Sequence, residues 1–146
     1  MQKVLLLDNY DSFTWNLAQI LTESGLCEFD VIKNDQITIK GAQVYDKILL
    51  SPGPGLPDDA GILKPLIKEL GPTKSILGVC LGHQAIAEVY GIKLKQLKEI
   101  SHGESTTVSI IEEHHDYLFD GLPKKFQAGR YHSWIVDLCS FNNELK

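Results

Sequence analysis

Two kinds of hydrophobic pattern alternate through the N-terminal part of the chain. Short runs that are apolar at nearly every position, as in buried parallel strands, occupy residues 4–7, 29–32, 48–50 and 75–79. Between these runs apolar residues recur at helical spacing, in the stretch that carries Phe13, Leu17, Ile20 and Leu21, in residues 62–70 and in residues 85–90. The alternation predicts an α/β fold with a mostly parallel central sheet, built as a single domain over residues 1–146.

Glycine, proline and small polar residues mark the ends of these elements. Asp11 or Ser12 can cap the first helix, and Gly25 is expected to end it. Residues 51–59, S-P-G-P-G-L-P-D-D, cannot lie inside a helix or a strand, and Pro65 must fall in the first turn of its helix. Beyond Ile92 the pattern becomes rich in strands, which are predicted at residues 106–111 and 133–136.

Composition narrows the possible function. The chain has 146 residues, 43% of them hydrophobic, enough for one domain with a full core. Its net charge of −5 and lack of a basic block argue against nucleic acid as a partner, and no apolar run approaches membrane-spanning length. The cysteines at 27, 80 and 139 are too scattered for a disulfide framework or a C-x-x-C metal site. We therefore expect a cytoplasmic protein without metal or cofactor.

Residues 78–84, G-V-C-L-G-H-Q, carry the strongest chemical signal. They join a predicted strand to a predicted helix with G-x-C-x-G spacing, which is the spacing of a nucleophile elbow with Cys80 in place of serine. Gly78 and Gly82 allow a sharp turn, and the positive end of the following helix is expected to favour the thiolate. A buried structural cysteine is the alternative. The flanking glycines favour a nucleophile.

The P-G-P-G segment at residues 52–55, called the 52–55 loop below, also follows a strand. Loops at the carboxyl ends of parallel strands gather at one edge of the sheet, so this loop should lie beside Cys80. Gly53 and Gly55 can then offer backbone N–H groups to an oxyanion, whereas Pro54 has none. A stiff connector with no chemical role remains the alternative.

Four segments together resemble a known family. They are L-D-N-Y-D-S-F-T at 7–14, L-S-P-G-P-G at 50–55, G-V-C-L-G-H-Q at 78–84 and R-Y-H-S at 130–133. In this order they look like the glutamine amidotransferase subunit, component II, of anthranilate synthase and aminodeoxychorismate synthase. These subunits are class I, triad-type amidotransferases, and the resemblance implies a flavodoxin-like fold. It covers nearly the whole chain.

The resemblance also implies roles for individual residues. Cys80 would attack the side-chain amide of L-glutamine and form a glutamyl thioester. The backbone N–H groups of Leu81 and Gly55 would stabilise the oxyanion. The residues implied to hold glutamine are Gly53, Pro54, Gly55, Gln84, Ser133 and Trp134. The implied protein partner is the chorismate-using synthase subunit, component I, and no resident metal or cofactor is implied.

Residues 8–14 and the neighbourhood of His102-Gly103 would lie toward that partner. Aromatic residues at helix spacing are nonetheless usually core, which is the expectation for those at positions 10, 13 and 15. For Asn9, Asp11 and Ser12, helix capping and a partner contact are both open.

The chain departs from the family at the catalytic base. The family's base is a histidine in a His-Pro-Glu segment near the C-terminus, and no His-Pro-Glu occurs in these 146 residues. None of the histidines matches the base position; they are His83, His102, His114, His115 and His132. The catalytic histidine and glutamate are thus absent from this sequence, and we expect the C-terminal part of the domain to be missing.

This departure leaves several functions open. The chain could belong to a glutaminase that supplies ammonia to anthranilate synthase for tryptophan biosynthesis, to aminodeoxychorismate synthase for folate biosynthesis, or to both. It could instead be a non-catalytic fragment that binds the synthase. A cysteine-based redox or repair protein on a related fold is a third alternative, against which Gln84 and the 52–55 loop argue.

Overall fold

A four-stranded parallel sheet forms the centre of the fold. The computed structural model of the protein describes residues 1–110 and 117–140. The strands are β1 (Gln2–Asp8), β2 (Cys27–Lys33), β3 (Lys47–Leu50) and β4 (Ser75–Gly78), in the order β2-β1-β3-β4. Leu5 of β1 pairs with Asp30 on one side and Ile48 on the other. This is the strand order of a flavodoxin-like fold, and the predicted parallel α/β sheet is confirmed.

Helices follow the strands. They are α1 (Thr14–Ser24), α2 (Ile39–Ala42), α3 (Leu63–Leu70) and α4 (Leu81–Val89), with a 3-10 turn at Pro57–Asp59. Gly25 ends α1 in the left-handed conformation, with φ of 60°, and Pro65 lies in the first turn of α3, as predicted. Asp11 accepts a hydrogen bond from the Phe13 N–H over 2.8 Å, in the turn that leads into α1. The short helix α2 was not predicted.

A long antiparallel pair of strands follows α4. It consists of β5 (Leu94–Ser109) and β6 (Lys125–Val136), and Leu94 pairs with Val136 at one end and Ser109 with Lys125 at the other. Two further 3-10 turns lie at Tyr117–Phe119 and Leu138–Ser140. The predicted β-rich character is confirmed, but β5 begins twelve residues before the predicted strand at 106–111, whose last residue lies outside the described part of the chain. Sparse apolar residues explain the difference, because most described side chains of β5 are exposed.

The core lies mainly on one face of the parallel sheet. Buried leucines of β1 and β3 pack there against the apolar faces of α3 and α4. The main members are Leu5, Leu7, Ile48, Leu50, Leu63, Leu66, Ile67, Leu70, Leu81 and Ala85. Because side chains alternate along a strand, Val4 and Leu6 face the opposite side, where α1 contributes the buried Ala18. This packing sets α4 directly behind the carboxyl ends of β3 and β4.

Helix α1 does not bury the aromatic residues near its start. Tyr10, Phe13 and Trp15 are 49%, 51% and 64% exposed, so the expectation that they lie in the core is wrong. Small residues make the helix contact instead, since Thr14 and Ala18 are its buried side chains. A helix that approaches a sheet through Thr and Ala leaves its larger neighbours at the rim or in solvent.

Candidate functional site

Cys80 lies at a strained turn between β4 and α4. Its backbone has φ of 51° and ψ of −107°, a conformation that residues with a side chain rarely adopt. A Cβ built on Gly78 would lie 2.5 Å from Gly82 O and from His83 N, and one built on Gly82 would lie 2.5 Å from the Cβ of Leu50. Both glycines are therefore needed for α4 to approach β3 and β4. The predicted elbow is confirmed as a geometry, and the exposed side chain of Cys80 contradicts a buried structural role.

The surroundings of Cys80 shift the pKa of its thiol upward. Loss of water to the surrounding protein raises the pKa of the Cys80 thiol, although the residue is open to solvent on one side. A hydrogen bond from the Leu81 N–H lowers that pKa, and the negative charge of Asp11 raises it further. The helix terminus thus favours the thiolate, as expected, but burial outweighs its effect on the pKa of the Cys80 thiol. A thiol with a raised pKa needs a base to take its proton before it can act as a nucleophile.

A cavity of about 780 Å³ opens above Cys80. It brings together Gly53, Gln84 and Trp134 of the predicted glutamine site with the nucleophile, which confirms that the 52–55 loop and the elbow lie side by side. The other lining residues are Asp11, Phe13, Pro52, Val79, His83, Gly129, Tyr131, His132, Ile135 and Val136. The N-terminal segment, the elbow and β6 thus share one cavity of a size suited to a small molecule.

Four predicted residues lie outside this lining. Pro54 and Gly55 are exposed, and Gly55 has φ of +70°, a conformation that favours glycine. Ser133 is half-buried in β6. Leu81 is buried below the cavity, and its N–H contacts the Cys80 thiol. Its backbone is thus in place beside the sulfur, whereas the Gly55 N–H lies farther out along the loop.

On the side of the cavity formed by β5 and β6, two side chains contact the same main-chain oxygen, that of Trp134. Gln84 Nε2 donates to Trp134 O over 3.3 Å, and His132 Nδ1 lies 3.1 Å from the same oxygen. His132 Nε2 accepts a hydrogen bond from Arg130 Nε over 3.1 Å. Since a main-chain oxygen only accepts, His132 carries its proton on Nδ1. Both of its ring nitrogens are therefore occupied within the wall.

The second cavity histidine, His83, is exposed, yet partial burial of its imidazole lowers its pKa. His114 and His115 lie outside the described residues, as does the side chain of His102. His102 precedes Glu104 by two positions on β5, but Glu104 is exposed and outside the cavity lining. The described residues thus contain no histidine–glutamate pair at the cavity.

Comparison with known proteins identifies the family. The family model described as "Glutamine amidotransferase class-I" matches residues 5–146. The chain belongs to the class-I glutamine amidotransferase family. It is 44% identical over 142 residues to anthranilate synthase component 2 of Saccharolobus solfataricus, covering 94% of this chain and 72% of that protein. It is also 44% identical over 146 residues to the chloroplastic anthranilate synthase beta subunit 1 of Oryza sativa, of which it spans 50%.

Solved structures support the same fold. A glutamine amidotransferase from Thermotoga maritima superposes with a TM-score of 0.75 at 19% identity, over 94% of this chain and 63% of that chain. At this identity the likeness shows the fold alone, a flavodoxin-like amidotransferase fold with a parallel central sheet. Like the rice subunit, this neighbour is longer than the chain.

Sequence analysis missed a group of buried polar residues in this amidotransferase fold. They lie just after β1, β2 and β3 and in the first turn of α1, and they are Asp8, Asn9, Thr14, Asn34 and Ser51. Asp8 Oδ1 accepts hydrogen bonds from Tyr10 N, over 2.9 Å, and from Thr14 Oγ1, over 2.8 Å. The available signal was a polar residue directly after each apolar run. Asn9 is buried, and α1 has no side-chain cap, so the capping alternative for Asn9 is wrong.

No helix in the described part of the amidotransferase chain is long and apolar enough to cross a membrane. Residues 1–110 and 117–140 also contain no cluster of three side chains suited to bind a metal ion.

Proposed function

We propose that this chain is the glutaminase part of an anthranilate synthase component II, with Cys80 as its nucleophile. The observation that carries the proposal is the strained elbow, which places the Cys80 thiol in a cavity beside the 52–55 loop. The relatives named as anthranilate synthase subunits support the assignment to tryptophan biosynthesis. Aminodeoxychorismate synthase, in folate biosynthesis, is the alternative partner, and one subunit can serve both.

The chemistry begins with removal of the Cys80 proton. The sulfur then bonds to the carboxamide carbon of L-glutamine, and the C–N bond breaks as the leaving nitrogen takes up that proton and departs as ammonia. Water hydrolyses the resulting thioester to glutamate and restores the thiol. The Leu81 and Gly55 N–H groups stabilise the oxyanion of both steps.

Substrate is held from three sides of the cavity. Gln84 of α4 and the backbone of Ser133 and Trp134 in β6 bind the amino-acid end of glutamine. Gly53 and Pro54 bind it from the loop side. The ammonia passes to component I, the chorismate-using synthase subunit. The exposed aromatic residues at positions 10, 13 and 15 support a partner surface near the cavity mouth.

A non-catalytic role in synthase binding is the second candidate. It is favoured by the high pKa of the Cys80 thiol together with the absence of a matching base in these 146 residues. A positioned base contributes about 10²–10⁴-fold to such reactions, so the polypeptide 1–146 alone should show negligible glutaminase activity. A segment carrying His-Pro-Glu, added in cis or as a peptide, should supply the base.

Ammonia release separates these candidates. The polypeptide 1–146 is measured alone, with a His-Pro-Glu segment, and with component I of either synthase. Activity that appears with the segment, rises with anthranilate synthase component I and disappears in Cys80→Ser supports the proposal. Binding to component I without ammonia release under any condition would support the non-catalytic role. Robust turnover by 1–146 alone would show that one of its own histidines acts as the base.

A further inference from the structure

The buried side chain of Asn9 ties the end of β1 to the start of the 52–55 loop. Asn9 is 2% exposed. Its N–H donates to Ser51 Oγ over 2.9 Å, and its Nδ2 donates to Ser51 O over 2.9 Å. Because a main-chain oxygen only accepts, this second bond fixes the orientation of the amide. Two bonds to one residue hold Ser51 by both its side chain and its main chain.

On its other side, Asn9 is held by Asn34. Asn34 Nδ2 donates to Asn9 Oδ1 over 3.1 Å, and Asn34 is itself buried. The Asn9 amide is therefore bonded through both its nitrogen and its oxygen, in a site closed to water. A buried amide whose nitrogen and oxygen are both hydrogen-bonded has one orientation, and its hydrogen bonds fix the positions of its partners.

The 52–55 loop, which follows Ser51, then passes between Asn9 and Leu81. A Cβ built on Gly53 would lie 2.7 Å from Asn9 Cβ and 2.9 Å from Asn9 O, and it would overlap with Leu81 Cδ2. Ser51 Oγ also donates to Pro52 O over 2.7 Å, which fixes the first peptide of the loop. The loop thus sits against Asn9 on one side and Leu81 on the other.

We propose that Asn9 is a positioning residue, which sets the 52–55 loop at the distance from Cys80 that the oxyanion requires. This inference rests on the proposed glutaminase function. Asn9 touches no reacting atom and acts through Ser51 and Gly53. Its loss should lower kcat far more than it raises KM for glutamine, because the oxyanion exists only during the reaction.

The test compares variants of the natural full-length protein in complex with its synthase. Asn9→Asp keeps the size of the side chain but cannot donate to Ser51 O. Asn34→Ala is the matched control, because it removes one buried hydrogen bond of Asn9 and leaves both bonds to Ser51. A displacement of about 1 Å near a reacting group can cost about 10²-fold in rate, so we expect a kcat loss of that order in Asn9→Asp and a much smaller one in Asn34→Ala.

Two further measurements separate positioning from folding. Alkylation of Cys80 by iodoacetamide forms no oxyanion, so its rate should be unchanged in Ser51→Ala, which adds no charge near the thiol. Ser51→Ala removes only the hydroxyl and should also lower kcat. It replaces Asn9→Asp in the test if that variant does not fold. Wild-type kcat in Asn9→Asp or Ser51→Ala, or an equal loss in Asn34→Ala, would overturn the inference. Failure of the wild-type complex to release ammonia would instead overturn the glutaminase function.

Discussion

Gln84 and Trp134 are joined by a hydrogen bond from the Gln84 amide to the Trp134 main-chain oxygen, over 3.3 Å. The two residues are fifty positions apart, and the bond connects the helix behind Cys80 to the antiparallel strand pair. The bond holds α4 and the β5–β6 pair, which form two walls of the cavity, at a fixed separation. Any ligand between the walls must fit that separation or break the bond.

Replacing Gln84 with Ala should raise KM for glutamine and loosen the cavity wall. The variant loses a hydrogen bond, whose net contribution to stability is about 0.5–1.5 kcal/mol, and the amide expected to bind substrate. Steady-state kinetics and thermal unfolding of the full-length protein measure the two effects. Gln19→Ala is the control, because Gln19 is exposed on α1, where its amide donates a hydrogen bond to Glu23, outside the cavity lining. An unchanged KM in Gln84→Ala would remove this residue from the glutamine site.

Cys80 should be the only cysteine that reacts with a glutamine-mimicking electrophile. Cys139 is exposed as well, but it lies outside the cavity lining, and Cys27 is half-buried at the start of β2. Mass spectrometry of the labelled full-length protein identifies the modified residue. Cys139→Ser should label normally and Cys80→Ser should not label or turn over. Label concentrated on Cys27 or Cys139 would contradict the assignment.

The alkylation rate of Cys80 should depend on the charge of Asp11. Burial and the Asp11 carboxylate raise the pKa of the Cys80 thiol, so the thiolate forms only as the pH rises above the usual range for a thiol. Removing the negative charge in Asp11→Asn favours the thiolate, which lowers that pKa and speeds iodoacetamide alkylation at neutral pH. The rate is measured across pH for the polypeptide 1–146.

Glu28→Gln provides the charge control for this experiment. It removes an equal charge from an exposed position on β2, outside the cavity lining, and should leave the pH profile unchanged. A profile that does not move in Asp11→Asn, or moves equally in both variants, would contradict a local effect of Asp11.

Two glycine variants should separate folding from catalysis. A Cβ on Gly82 would collide with Leu50, so Gly82→Ala should cost about 1–3 kcal/mol or more of stability. A Cβ on Gly55 meets only Asp59 Oδ2, at 3.6 Å, and its left-handed backbone costs about 1–2 kcal/mol for a residue with a side chain. If that strain moves the N–H of residue 55 away from the oxyanion, the reaction barrier in Gly55→Ala should rise by about 2.7–4 kcal/mol.

Thermal unfolding and steady-state kinetics of both glycine variants are compared in the full-length protein. In Gly82→Ala the main effect should be a lower stability. Gly55→Ala should keep its fold and lose kcat. A Gly55→Ala variant with wild-type kcat and a lowered melting temperature would make the 52–55 loop a connector only.

The sequence by itself determined the parallel half of the fold and the strand-to-helix turn at Cys80. Parallel strands are apolar at successive positions, so β1, β3 and β4 are visible as local runs, although Leu77 of β4 is 50% exposed. The elbow is equally local, because Gly78 and Gly82 are required by contacts within a few residues of Cys80 or with the adjacent strand. Such features depend on short stretches of chain, which a local pattern can encode.

Only the tertiary structure decided what surrounds Cys80. The aromatic residues at positions 10, 13 and 15 were expected in the core, but α1 begins at Thr14 and meets the sheet through Thr14 and Ala18 instead. The contacts of Asn9 with Ser51, and of Gln84 with Trp134, join residues more than forty positions apart. The net rise in the pKa of the Cys80 thiol likewise depends on which groups from other segments surround it. Local periodicity carries no information about these pairings, because the packing of distant segments creates each of them.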